Sequence, residues 1–321
     1  MTMKNDGQDT TPMDCIFGPV PSRRLGMSLG VDIVPMKVCS YDCIYCEVGK
    51  TTLKTLERRE YVSERSVARA LERYFGQGEQ EALDYVTFSG SGEPTLNSAI
   101  GSLIRKVKEL TDTPVAVLTN GSLLYMEDVR EDLAAADLVI PSLDAVTPDA
   151  FSKVNRPADG MDLETIIEGI RKFAQEFRGE IWLEILLVRG INDSMEHAAV
   201  LADAARTIRT DKIQLTTVAR PSGTSRVEPV DGDKLVEIAK LFTGNVEIVA
   251  DFNRHENPAY NEERGEQIVK MLRIRPMSVQ DLSASLGIHP NEVVKYLDQL
   301  SRDHKVREER FDGRSYFTLD R

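Results

Sequence analysis

The chain has 321 residues, 41% hydrophobic and 29% charged, enough to bury a substantial core and leave room for a second small domain. No apolar run approaches the roughly 18–20 residues of a membrane span, so a membrane partner is not expected. The net charge of −12 does not favour nucleic acid as a partner, because such binding leans on Lys and Arg to neutralise phosphates.

Residues 1–14 are polar, lack the apolar stretch of a signal peptide and read as a disordered tail. Four cysteines, three of them clustered, fit a reducing cytoplasm better than a disulfide framework. Cys15 stands apart, either as a small buried apolar side chain or as a substrate-side thiol or accessory ligand. Gly18 to Gly26 reads as a turn-rich lead-in, and Arg23 and Arg24 within it are a solvated pair or substrate contacts. Alternation from Leu29 to Val34 predicts a first strand that delivers the chain to a cysteine loop.

That loop holds Cys39, Cys43 and Cys46 in a Cys-x3-Cys-x2-Cys pattern. Three close thiolates can hold three corners of a cubane iron–sulfur cluster and leave one iron open, the logic of a catalytic metal site. A structural zinc would want a fourth Cys or His nearby, and none of the four His lies near this loop. A redox Cys-x-x-Cys pair would leave Cys39 without a role.

Beyond the loop, Ser63 caps a helix with Val67, Ala68, Leu71 and Tyr74 on one stripe. Strands are predicted at 84–89, 115–119, 138–141, 181–188, 213–217 and 246–249, and helices near 98–110, 126–134, 162–177, 195–208 and 231–242. This alternation predicts an α/β fold of about six βα units around a parallel sheet. Past 253–258 the pattern changes to three helices near 262–273, 278–286 and 290–303. Two strands follow, flanking Asp312 and Gly313, a hairpin signal. Helix, helix-turn-helix and β-ribbon describe a winged-helix domain over 262–321, after a first domain over 15–256. Acidic and basic residues balance in 262–321, so the whole excess of negative charge sits in 1–261.

The cysteine spacing, with Tyr45 just before the last cysteine, resembles the radical S-adenosylmethionine (radical SAM) superfamily. A second motif, Ser91-Gly92-Glu93-Pro94 directly after a strand, resembles that family's Gly-Gly-Glu motif with serine at its first position. The resemblance implies a partial (βα)6 barrel and two cofactors, a [4Fe–4S] cluster on Cys39, Cys43 and Cys46, and SAM. It implies that SAM is split to a 5′-deoxyadenosyl radical that takes hydrogen from a substrate, with electrons from a partner such as a flavodoxin or ferredoxin. Ser91, Gly92 and Glu93 are then expected at SAM, the last two at its amino group. Asn120 and Ser142 are candidates for its ribose or carboxylate, alternatives being loop caps. Arg189 and Arg220 are candidates for an anion clamp or plain surface charges. Tyr45 either packs near the adenine or serves ordinary packing. Asp144 is a further polar residue at a strand end, and His255 is a linker histidine or a late proton donor.

Residues 17–35 resemble the group that contains the wyosine-base tRNA synthase, which implies RNA modification; that synthase has further N-terminal cysteines where this chain has only Cys15. The alternatives are modification of a peptide or protein, with the winged helix as recognition module, and a cluster-based redox regulator without SAM chemistry. No Gly-x-x-x-x-Gly-Lys-Ser/Thr loop competes for the chemistry.

Overall fold

The computed structural model describes residues 15–22, 24–77, 82–218, 227–249, 262–311 and 314–320. The readings placed on the 1–14 tail, Arg23, Arg220, His255 and the Asp312–Gly313 turn lie outside the described residues.

The first elements are β1 (Ile16–Ser22), β2 (Gly26–Val31), the two-residue strands β3 (Val38–Cys39) and β4 (Leu53–Lys54), and α1 (Glu64–Phe75). Then come β5 (Tyr85–Phe88), a 3-10 turn (Pro94–Leu96), α2 (Ile100–Leu110), β6 (Val115–Thr119), α3 (Glu127–Leu133) and β7 (Leu138–Pro141). After these run α4 (Pro148–Val154), α5 (Leu163–Glu176), β8 (Glu180–Leu187), α6 (Met195–Arg206), β9 (Lys212–Thr217), α7 (Gly232–Ala239) and β10 (Val246–Val249). The chain closes with α8 (Glu262–Ile274), α9 (Val279–Leu286), α10 (Pro290–Arg302), β11 (Val306–Phe311) and β12 (Arg314–Leu319).

One eight-stranded sheet runs in the order β1-β2-β5-β6-β7-β8-β9-β10. From β2 to β10 every neighbouring pair is parallel, and helices make the crossovers, as parallel pairing requires. Along β6 the side chains alternate. Val115 and Val117 enter the main core with Leu103 and Ile104 of α2, while Ala116 faces Leu138, Ile140 and Trp182 on the opposite side. Helix starts follow local chemistry: Ser63, Thr147, Asp162 and Ser194 each accept a backbone N–H in the first turn of their helix.

Two expectations need correcting. The lead-in is a strand, β1, antiparallel to β2 at the sheet edge, with an irregularity between Phe17 and Val20. An edge tolerates its prolines because one side of the strand needs no ladder donors. The strand expected at 29–34 is β2, which begins earlier because Ser28 to Val31 pair with Tyr85 to Phe88, leaving Asp32 to Val34 beyond the ladder. The sequence reading also missed α4, whose seven residues are too few to establish a stripe, though Ala150, Phe151 and Val154 are buried.

Residues 262–320 build a separate hydrophobic cluster of Ile268, Leu272, Leu282, Val293, Leu297 and Phe317. Ser278 and Asp281 form a reciprocal capping box on α9, and Gly287 ends that helix in the left-handed conformation. β11 and β12 pair antiparallel from Val306↔Leu319 to Phe311↔Arg314.

Candidate functional site

Because β2 ends at Val31, the chain leaves the sheet and crosses the C-terminal strand ends, where parallel α/β sheets collect ligands. The cysteine loop lies there. β3 pairs with β4 at its base. Thr51 binds Asp42 Oδ1 through its N–H at 2.8 Å and the Tyr41 carbonyl through its hydroxyl at 2.6 Å. The end of α4 docks the loop's far side: Asp42 N donates to Asn155 O at 3.0 Å and Ile44 N to Val154 O at 2.9 Å. The short helix that the sequence reading missed is thus the loop's support.

Cys39, Cys43 and Cys46 are free thiols, half-buried, and each sulfur faces one side-chain nitrogen donor from a different part of the chain, Cys39 also accepting from Tyr41 N at 3.5 Å. Lys37 Nζ donates to Cys46 Sγ at 2.9 Å. Asn120 Nδ2, after β6, lies 3.6 Å from Cys39 Sγ, and Asn155 Nδ2, after α4, lies 3.6 Å from Cys43 Sγ. Burial, with Glu93 next, pushes the Cys39 thiol up to about 12, partly opposed by Lys37. Burial and then Asp144 hold Cys43 well above the usual thiol range, and Cys39 and Cys46 add to its shift. The Cys39 and Cys43 thiols resist ionisation and call for a cation to bind them as thiolates, because a coordinating thiol is deprotonated outright. Among the described residues no three His, Cys, Asp or Glu side chains converge on a single-ion site. A cubane fits better, since its thiolates bind three different irons and stand further apart. Donors to the sulfurs are what tunes such a cluster. The residues fit a [4Fe–4S] group.

Ser91, Gly92 and Glu93 follow β5 and press on the same loop. Lys37 N donates to Ser91 O at 2.9 Å, and Glu93 N donates to Val38 O at 3.1 Å. The buried Glu93 carboxylate accepts from Thr95 N (3.0 Å), Thr95 Oγ1 (2.6 Å), Thr119 Oγ1 (2.7 Å) and Asn120 N (2.7 Å). It therefore ties the ends of β5 and β6 together. Burial raises its pKa, opposed by those same donors.

The remaining expected residues separate. Asn120 is at the cysteine loop, its amide also donating to Ser40 Oγ at 2.8 Å. The Tyr45 hydroxyl donates to Asp144 Oδ2 at 2.5 Å, and Asn155 donates to the same oxygen at 2.7 Å, which links Tyr45 to the Cys43 side. Burial pushes Asp144 up to about 6, against the pull of Tyr45, Leu186 N and Asn155. Ser142 donates to Glu184 Oε2 at 3.2 Å, and Glu184 is ion-paired with Arg24. The Arg24 alternative of a solvated pair gives way to this part-buried contact. Arg189 is exposed and its guanidinium is paired with Asp231 and Glu228, so the structure does not bring it into the cysteine cluster. Cys15 is buried in the main core. Lys37, Ser40 and Asn155 were missed. Lys37 had a signal, a cation two residues before the first cysteine, whereas Asn155 is distant in sequence and had none.

The profile of the radical SAM superfamily matches residues 33–202, which takes in the cysteine loop and the Ser91–Glu93 segment. The chain belongs to the radical SAM superfamily. It is a radical SAM enzyme, with a [4Fe–4S] cluster and SAM as cofactors. It is similar to "UPF0026 protein MJ1312" of Methanocaldococcus jannaschii, 31% identical over 310 residues, covering 95% of this chain and 96% of that one. It is also similar to a Brachyspira hyodysenteriae protein named "GTPase Obg", 36% identical over 301 residues; the match covers 93% of this chain but only 44% of that protein's length. Among solved structures, TYW1 with a lysine-pyruvate adduct bound shares the fold at 22% identity and a TM-score of 0.50, over 70% of this chain and 74% of that one. Enzyme-family membership leaves the reading of a redox regulator without SAM chemistry unsupported. Among the described residues no helix is long and apolar enough to cross a membrane.

Proposed function

We propose that this radical SAM enzyme generates a 5′-deoxyadenosyl radical in a partial barrel over residues 15–256 and uses it to take hydrogen from an RNA base. The observation that carries the chemistry is that three separate side-chain N–H donors, from Lys37, Asn120 and Asn155, meet the three sulfurs one each. When bound, the cluster on Cys39, Cys43 and Cys46 supplies the electron that splits SAM. The chain's own residues do the rest. Lys37 offsets thiolate charge at Cys46. The backbone of Ser91 to Glu93 meets the SAM amino group, since the Glu93 carboxylate is already spent on Thr95, Thr119 and Asn120. Asn120 and Tyr45 border the SAM site, while Arg24, Ser142 and Glu184 stand on the substrate side. Arg189 acts at the rim. The RNA reading is supported by the lead-in's likeness to the wyosine group and by the fold shared with TYW1.

A second reading, peptide or protein as substrate, is supported by charge and by α10. We read residues 262–321 as a winged-helix domain. A DNA-reading helix presents its N-terminal residues to base edges. Here His289 at that end is buried, and Glu292 is paired with Arg264 at 2.8 Å. We place the protein in a reducing cytoplasm, with a flavodoxin or ferredoxin as electron donor.

Anaerobic reconstitution, reduction and addition of SAM tests the activity. A SAM-dependent change in the EPR spectrum with release of 5′-deoxyadenosine is expected; a four-iron signal indifferent to SAM excludes it. Bulk tRNA should then be bound at low salt and should raise deoxyadenosine release. No binding and no rise would move the assignment to the peptide reading.

A further inference from the structure

The lead-in strand and the histidine before α10 meet at a point that the proposed chemistry does not yet use. Asp32, just past β2, is buried, and its Oδ2 accepts from Ser91 N at 2.9 Å. The same oxygen lies 2.8 Å from Nε2 of His289, itself buried. The ring's other nitrogen, Nδ1, accepts from Asn291 N at 3.1 Å, which caps α10. An accepting Nδ1 leaves the proton on Nε2, so His289 donates to Asp32. Phe17 of β1 stacks on the imidazole, ring centroids 4.4 Å apart at 13°. Phe17 in turn fits only because residue 30 is glycine: a Cβ there would stand 2.1 Å from the Phe17 ring.

We propose that His289 is a positioning residue for SAM binding, acting through Asp32 on the Ser91–Glu93 segment. The role rests on the reading of that segment as the SAM-binding strand end. Ser91 is held on both sides, its N–H by Asp32 and its carbonyl by Lys37 N. The segment cannot shift without disturbing one of them. A buried carboxylate that loses a donor must recruit water or move. Either response releases Ser91. The 262–320 unit thereby becomes part of the SAM site's support, and the Phe17 lead-in is the platform that seats the histidine.

The test uses the full chain, reconstituted and reduced, titrated with SAM and followed by EPR. His289→Phe keeps the ring on Phe17 but removes the N–H; His289→Gln keeps an N–H of similar reach. SAM affinity is expected to fall on the order of tenfold in His289→Phe, as loss of one charge-assisted hydrogen bond implies, and to recover in His289→Gln. Iron content should stay at the parent level in both. Hydrogen exchange at the Ser91 amide, read without cluster or SAM, should speed up in His289→Phe only. Should that variant not fold, Phe17→Leu, which unseats the ring, is expected to weaken SAM binding in the same direction. A parent chain with no spectral response to SAM overturns the site reading and this role with it. A responsive parent matched by the folded variants in affinity and exchange overturns this role alone.

Discussion

Gly92 lies so close to Val38 that a Cβ on it would stand 1.8 Å from the Val38 carbonyl oxygen. That oxygen also accepts the Glu93 N–H, and Val38 leads directly into Cys39. The strand-end segment and the cysteine loop are therefore one packed unit. Backbone meets backbone, leaving no flexible side chain to give way.

Gly92→Ala should separate the two segments. Overpacking of this kind typically costs about 1–3 kcal/mol. The variant is expected to unfold at lower denaturant than the parent and to hold less iron after reconstitution. Iron content and denaturant midpoint equal to the parent's would show that the contact carries no load.

Lys37 sets a charge beside the cluster ligands. Burial alone would lower its pKa, but the negative charge of Cys46, Cys39 and Cys43, once ionised as ligands, offsets this and raises it, so it stays cationic beside the ligating sulfurs. A cation favours the more negative, reduced cluster. Lys37→Met should lower the midpoint potential by on the order of 50 mV, equivalent to roughly 1 kcal/mol for one electron. A redox titration followed by EPR checks it; an unchanged or raised potential contradicts the assigned role.

Asp144 gives the apo protein a pH signature. Its folded pKa, raised by burial to about 6, exceeds the ordinary 3.8. Between those values the folded state keeps a proton that the unfolded chain has lost, so stability falls as pH rises through this window. The shift corresponds to a loss on the order of 3 kcal/mol by pH 7. Asp144→Asn stays neutral throughout. Urea midpoints of apo parent and variant should diverge as pH rises above 4 and level off above 6. Parallel curves would remove Asp144 from the account.

The cysteine pattern and the Ser91–Glu93 motif were legible because each is local: its residues lie within a few positions and its chemistry is set by residue type. The parallel strands were legible for a similar reason, as short apolar runs between amphipathic helices. What sequence could not give is pairing across distance. Asn155 reaches Cys43 only because α4 docks under the loop, and α4 is too short to leave a stripe. His289 reaches Asp32 across nearly the whole chain, with nothing in either local pattern to announce it. Arg189 shows the same limit at shorter range. Its place after a strand suggested an anion clamp, but nearby Asp231 and Glu228 occupy its guanidinium.

Glu93 offers a test of whether its carboxylate is a ligand or a tie. Its oxygens accept four hydrogen bonds, and all four donors belong to Thr95, Thr119 and Asn120. In Glu93→Gln the amide nitrogen must face at least one of those donors, which leaves a buried N–H or O–H unpaired. That costs roughly 1–3 kcal/mol. The apo variant should therefore lose stability in urea, before any cofactor is present. Asn120 should shift with it, because its backbone N–H is one of the four and its side chain reaches Cys39. A variant with parent-like apo stability but weakened SAM binding would instead put the carboxylate in direct contact with SAM and return it to the role implied by the family motif.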